Sequence, residues 1–207
     1  MKDKIIVIGF SGMLSAGKTT LMKTVAEKLD NSVTLFWDDY DHLVELEFKD
    51  PKKWLQDGCD TNKWKTVRFI EDLRSLKTNN AIQHPITNKN IEPAKYVLVE
   101  DPTGRTREEM AELIDTLVFI DLPQEISLAR AYNRELQNET KWIDKTELVN
   151  FLQSFTSRYL DWFHGALLNI EKRLRQDADL IVDGSKSSEE LAKMVINKLI
   201  QEKKNKI

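Results

Sequence analysis

The run Lys4-Ile5-Ile6-Val7-Ile8-Gly9-Phe10, followed after Ser11 by Gly12-Met13-Leu14-Ser15-Ala16-Gly17-Lys18-Thr19, decides how this chain folds. Its second half has the pattern G-x-x-x-x-G-K-[ST] of a phosphate-binding loop. The glycines let the main chain turn sharply, and the backbone N–H groups form a concave nest for anionic oxygens. Lys18 is placed to reach β- and γ-phosphates, and the Thr19 hydroxyl to join a Mg²⁺ shell. The apolar, β-branched run before the loop predicts a strand buried on both faces. After the loop, Leu21, Val25 and Leu29 recur every four residues, which predicts a helix over about 19–29 whose positive end faces the phosphates.

Four more strand-like runs follow: Val33–Phe36, Tyr96–Val99, Leu117–Ile120 and Leu180–Val182. Helical patterns lie at about 62–77, 107–113, 123–138, 144–175 and 187–202. This alternation predicts an α/β three-layer fold, a five-stranded parallel sheet with helices on both faces, in a single domain over 1–207. Such sheets bind ligands beyond the carboxyl ends of their strands. The residues there are Trp37-Asp38-Asp39-Tyr40-Asp41, Glu100-Asp101, Asp121 with Pro123, and Asp183-Gly184. Carboxylates facing phosphates serve as Mg²⁺ ligands or proton acceptors. Asp38, nearest its strand end, is the candidate proton acceptor, and Thr19, Glu100 and Asp38 are the candidate metal groups. Asp39 or Asp41 is expected to cap a helix starting near residue 41. Asp121 is expected to cap the helix that Pro123 opens.

Composition narrows the classes. The net charge of −3 argues against nucleic acid as the main partner, because that binding relies on concentrated positive charge. The lone Cys59 cannot form an internal disulfide, which fits a reducing compartment. No apolar run approaches the roughly 20 residues that span a bilayer, and the start has no signal-peptide pattern. A cytoplasmic protein with no membrane partner is the expectation. His42, His84 and His164 lack metal-ligand spacing. Trp37 and Trp64 are read as core residues that could also line an acceptor pocket. Leu148, Phe151, Leu152, Phe155, Tyr159, Phe163, Leu167 and Ile170 form a helical packing stripe that could also serve a homodimer. A Lys-rich end, Lys203-Lys204-Asn205-Lys206, reads as frayed.

At this point the chain resembles the uridine kinase and phosphoribulokinase-like branch of P-loop small-molecule kinases, in a bacterial-type subgroup. Gly12 to Thr20 matches the P-loop, Leu35-Phe36-Trp37-Asp38-Asp39-Tyr40 the second strand with its Asp, and Val97-Leu98-Val99-Glu100 the third strand ending in Glu. Leu117 to Glu135 looks like the fourth strand and the helix of a lid over about 123–145, and Asp179 to Gly184 like the last strand and the loop beside adenine. The resemblance implies ATP and Mg²⁺ as cofactors and transfer of phosphate to a hydroxyl of a small, nucleoside-like metabolite. Asp38 would take the hydroxyl proton and Glu100 would support the metal. Gly12, Ser15, Ala16, Gly17, Lys18, Thr19, Thr20, Arg130, Asp183 and Gly184 would hold the nucleotide. Arg130 and Arg134 lie four apart on one helix, so they share a face and can stabilise the charge of phosphoryl transfer.

The departures are specific. Asp101-Pro102-Thr103-Gly104-Arg105 stands where uridine kinases have Gly after the Glu. The segment from His84 to Pro93 is short and offers no counterpart of the family's Tyr and His contacts. Asn138-Glu139-Thr140-Lys141 replaces a second pair of lid arginines. Other classes weigh against this reading. Asp101-Pro102-Thr103-Gly104 fits a GTPase D-x-x-G element, but Asn88-Lys89-Asn90 lacks the Asp of N-K-x-D. A nucleotide monophosphate kinase would need basic acceptor-site groups, for which Arg68, Arg74, Arg105 and Arg107 are candidates. A non-catalytic nucleotide-binding regulatory protein would have no need of a proton acceptor.

Overall fold

The computed structural model describes residues 4–142 and 144–204. Asn205 and Lys206 of the Lys-rich end, and Ile143 of the expected lid, lie outside the described residues. Five strands, β1 (Ile6–Gly12), β2 (Ser32–Leu35), β3 (Tyr96–Glu100), β4 (Thr116–Asp121) and β5 (Leu180–Asp183), pair parallel in the order β2-β3-β1-β4-β5. The central strands are the most apolar because both their faces are covered. Val7 belongs to one core, with Val97, Val99, Leu117 and Phe119. Ile8 and Phe10 belong to the other, with Leu98, Val118 and Ile120. Each such side chain, fully buried, contributes roughly 1.5–3 kcal/mol.

Helices α1 (Lys18–Lys28) and α8 (Ser188–Lys204) cover one face. Helices α3 (Val67–Lys77), α4 (Glu108–Leu113) and α7 (His164–Asp177) cover the other. Gly17, at φ 96°, is the N-cap of α1 and takes a left-handed conformation that favours glycine. No side chain caps this end and its first turn holds no acid, so the N–H groups of α1 are left for an anion.

Three expectations are corrected. No helix of ordinary length begins near 41. Two single 3₁₀ turns, Trp37–Asp39 and Asp41–Leu43, stand there, and neither Asp39 nor Asp41 caps through its side chain. The helix in this region is α2 (Pro51–Gln56), capped by Asp50, which accepts from Lys52 N at 2.9 Å and Lys53 N at 3.1 Å. The helix expected over 62–77 starts at Val67. Asp60 instead folds Thr61–Lys63 into a 3₁₀ turn by accepting from Asn62 N, and Trp64–Lys65 pairs antiparallel with Glu45–Leu46. Asp121 does not cap helix α5 (Gln124–Leu136). It forms a two-armed ion pair with Arg175, and α5 starts after Pro123 without a side-chain cap.

The long helical pattern over 144–175 is observed as α6 (Lys145–Arg158) and α7, joined by a π-helical turn at Tyr159–Phe163. Among the described residues no helix is long and apolar enough to cross a membrane.

The turn Gly104–Thr106 packs directly under α7. Gly104 has φ 52°, and a Cβ there would lie 2.8 Å from both Leu174 Cδ2 and Ser11 Oγ. Gly104→Ala is therefore expected to lower stability by about 1–3 kcal/mol. A lowered denaturant midpoint at unchanged slope would bear this out, and an unchanged midpoint would contradict it.

Candidate active site

The carboxyl ends of β1, β2 and β3 set the site. Gly12 ends β1 and opens the loop. Phe10 pairs with Glu100, so the end of β3 lies beside the phosphate loop. Glu100 is only 5% exposed, and Thr19, in the first turn of α1, donates to its Oε2 at 2.8 Å. Lys18 folds back over the loop and donates to Gly12 O at 3.1 Å and Met13 O at 3.2 Å. Burial pushes the Lys18 ammonium below its ordinary pKa, while Glu100 and Asp38 pull it back up. Burial pushes the Glu100 carboxyl above the usual range, opposed by Lys18 and the Thr19 hydroxyl.

β2 ends in the turn that carries Asp38. Its flanking aromatics are buried: Trp37 packs edge-on against Phe69, and Tyr40 donates to Asp72 Oδ2 at 2.9 Å. These two anchors leave Asp38 exposed between them. Asp39 turns away to His84, whose Nε2 lies 3.4 Å from its Oδ2. His84 sits at the foot of the short pairing of Ile82–Gln83 with Asn90–Ile91. The segment 84–93 therefore does reach the Asp38 turn, through a histidine whose spacing gave no signal.

Two cavities meet at these groups. One, of about 400 Å³, is lined by the loop residues Leu14 to Thr20 together with Asp38, Glu100, Arg130 and Arg134. The other, of about 320 Å³, is walled by Trp37, Trp64, Pro102, Phe163, Leu167 and Ile170, with Asp41 and Thr103 adding polar groups. Both are lined by Leu14, Lys18, Asp38 and Glu100. Phosphate loop and carboxylates thus form the junction between a polar chamber and a largely apolar one.

Helix α5 closes the first chamber. Ser127 donates to Leu14 O, tying the helix to the loop, and Arg130 Nη1 donates to Gly184 O at 3.3 Å. Arg134 is 62% exposed, and its nearest carboxylate, Glu135 at 3.9 Å, is already held by Lys141 at 2.8 Å. Its guanidinium is therefore only loosely held. Asp183 folds its own turn by accepting from Ser185 N at 3.0 Å, and Gly184 meets α5 through its carbonyl.

The metal candidates Thr19 and Glu100 are in contact, with Asp38 on the same cavity wall. Among the described residues no group of three or more His, Cys, Asp or Glu could hold an ion. An oxygen-liking cation here would take its remaining ligands from phosphate and water, which suits Mg²⁺.

No protein-family model matches the chain. Over 189 residues it is 27% identical to the uridine kinase of Borrelia duttonii, covering 85% of each chain. It is 24% identical over 197 residues to the uridine kinase of Chlamydia pneumoniae, covering 87% of this chain and 82% of that one. Among solved structures, a gluconokinase from Sinorhizobium meliloti superposes with a TM-score of 0.54 at 11% identity, over 99% of this chain and 97% of that one. A possible uridine kinase from Bacillus stearothermophilus gives 0.50 at 14% identity, over 88% and 91%. The chain is thus similar to uridine kinases over most of its length, on a P-loop kinase fold.

Sequence reasoning missed several features of this site. Ile170 and Leu167 join the core as the packing stripe predicts, and with Phe163 they also wall the apolar chamber, which periodicity did not announce. Asp101 and Arg107 form an ion pair, 0% and 2% exposed, that no spacing announced. Arg105 is likewise engaged, with Asp177 and Asp179. Arg68 is engaged with Asp72.

The raised Glu100 pKa gives a signed prediction. The buried group is favoured in its protonated form, so its contribution to stability is present at acid pH and is lost as pH rises through the raised value. Without nucleotide, Glu100→Gln should melt higher than wild type above that value, the gap closing toward the ordinary carboxylate range. Thermal melts across pH check this, and a pH-independent gap would contradict it.

Proposed function

We propose that the chain is an ATP- and Mg²⁺-dependent kinase that phosphorylates a hydroxyl of a small, nucleoside-like metabolite. The observation that carries this reading is the meeting of two chambers at Lys18, Asp38 and Glu100. A phosphate donor needs the first chamber and an organic acceptor the second. The loop backbone and Lys18 hold the triphosphate. Thr19 and Glu100, with Asp38 nearby, would hold Mg²⁺, which would supply charge neutralisation to the transferring group. Asp38 accepts the hydroxyl proton as the hydroxyl oxygen bonds to the γ-phosphorus and the bond to ADP breaks. Arg130 and Arg134 offset the charge spread over the transferring oxygens. Asp183 and Gly184 lie where the lid meets the last strand and would flank the base, favouring ATP over GTP.

The alternative of a nucleotide monophosphate kinase finds little support in the second chamber. Its single basic lining group is Lys18, which belongs to the phosphate loop. Three of the four arginines that could have held an acceptor phosphate are already bound to carboxylates. An acceptor without phosphate fits better. The regulatory alternative leaves Asp38, exposed at the junction, without a task.

A carboxylate in reach of a hydroxyl proton typically contributes 10²–10⁴-fold. Asp38→Asn should therefore cut kcat by about that much with little change in ATP affinity, while Asp39→Asn, which faces His84, should be far milder. The acceptor for this assay comes from a thermal-shift screen of nucleosides and vitamins with a non-hydrolysable ATP analogue, since a ligand stabilises by mass action. Near wild-type turnover in Asp38→Asn, with loss in Asp39→Asn, would shift the base by one residue. Loss in neither would remove both.

A further inference from the structure

The segment after Glu100 carries two arginines with different surroundings. Arg105 bonds Asp177 through Nε at 3.0 Å and Asp179 through Nη1 at 3.0 Å, tying the turn to the end of α7 and the start of β5. Arg107 is buried and reaches the walls of the apolar chamber. Its Nη2 donates to Asp101 Oδ2, and the other Asp101 oxygen accepts from Thr103 N and Oγ1, each at 2.7 Å. Its Nη1 donates to Thr66 Oγ1, just before α3, and to Trp64 O at 3.5 Å. The guanidinium stacks on Trp37, 5.2 Å from the ring centroid.

We infer that Arg107 is a positioning residue that fixes the acceptor chamber, through Trp37 and Trp64, without contacting the nucleotide. The inference rests on the reading of that chamber as the acceptor site. Trp37 and Trp64 both line the chamber, their centroids 6.5 Å apart, and Asp38 follows Trp37 in the chain. Asp101 follows Glu100. One planar cation therefore joins the end of β3, the turn bearing the proton acceptor and the indole wall opposite. The job needs several donors in a plane plus a flat face to stack. A lysine ammonium offers neither, so Arg107→Lys keeps the charge and loses the geometry. The nucleotide chamber has no Arg107 in its lining and is untouched by the change.

The test uses full-length protein labelled with 5-fluorotryptophan, comparing wild type, Arg107→Lys and Arg105→Lys. In Arg107→Lys the ¹⁹F resonances of Trp37 and Trp64 should shift or broaden while that of Trp142, which follows α5, stays in place. With uridine as the first probe acceptor and the nucleoside panel behind it, acceptor KM should rise by at least about tenfold, since small misplacements cost that much or more. The KM for ATP should stay within about twofold. Arg105→Lys should lose stability and move neither KM. If Arg107→Lys does not fold, the double variant Arg107→Met with Asp101→Asn removes the buried charges together at similar volume. That variant should give the same acceptor-side defect. Unmoved Trp37 and Trp64 resonances, or acceptor and ATP KM rising together, would overturn the inference. Absence of transfer to any nucleoside by wild type would count against the kinase reading instead, and the ¹⁹F spectra would still decide the role of Arg107.

Discussion

The pairing of Phe10 with Glu100 in neighbouring parallel strands is the constraint on which the site depends. It brings the end of β3 beside the loop that leaves β1. A one-residue slip would flip every side chain of β3 to the opposite face. Glu100 would then leave Thr19, and Val97 and Val99 would leave the core they share with α3 and α7. Core packing and site geometry are fixed by the same register. The hydrophobic burial that stabilises the sheet therefore also holds the Glu100 carboxylate out of water, within electrostatic reach of Lys18. The opposed burial effects on Lys18 and Glu100 are the electrostatic trace of that arrangement.

Around this junction the two chambers are built by different means. The polar chamber is backbone, an uncapped helix end and two arginines on one face of α5, suited to anionic oxygens of many kinds. The apolar chamber is made of long-range side-chain contacts. Its indoles come from the β2 turn and from Trp64, and its floor comes from α7 and the π-helical turn. The shape of this second chamber follows from residues far apart in the chain.

That division explains what the sequence could reveal. The loop, the five strands and the acids at their ends are local patterns, so Gly12 to Thr20, Asp38 and Glu100 stand out before any coordinates exist. The caps were less legible. Asp121 and Pro123 have the spacing of a helix start, but Arg175, 54 positions later, takes the carboxylate. Asp41 begins a single 3₁₀ turn, while the Asp50-Pro51 pair, an equally local signal, opens a helix. Phe163, Leu167 and Ile170 show helical periodicity whether they face a core or a cavity. The pairing of Asp101 with Arg107 depends on a turn whose path Gly104 decides, and periodicity says nothing about it.

The most direct measurement follows the γ-phosphate itself. The protein is incubated with Mg²⁺, γ-labelled ATP and a pool of nucleosides and other small hydroxyl compounds, and the label is traced by chromatography. The account predicts label on an organic hydroxyl, with transfer abolished in Lys18→Ala and strongly reduced in Asp38→Asn. Label found only in ATP and inorganic phosphate would contradict it.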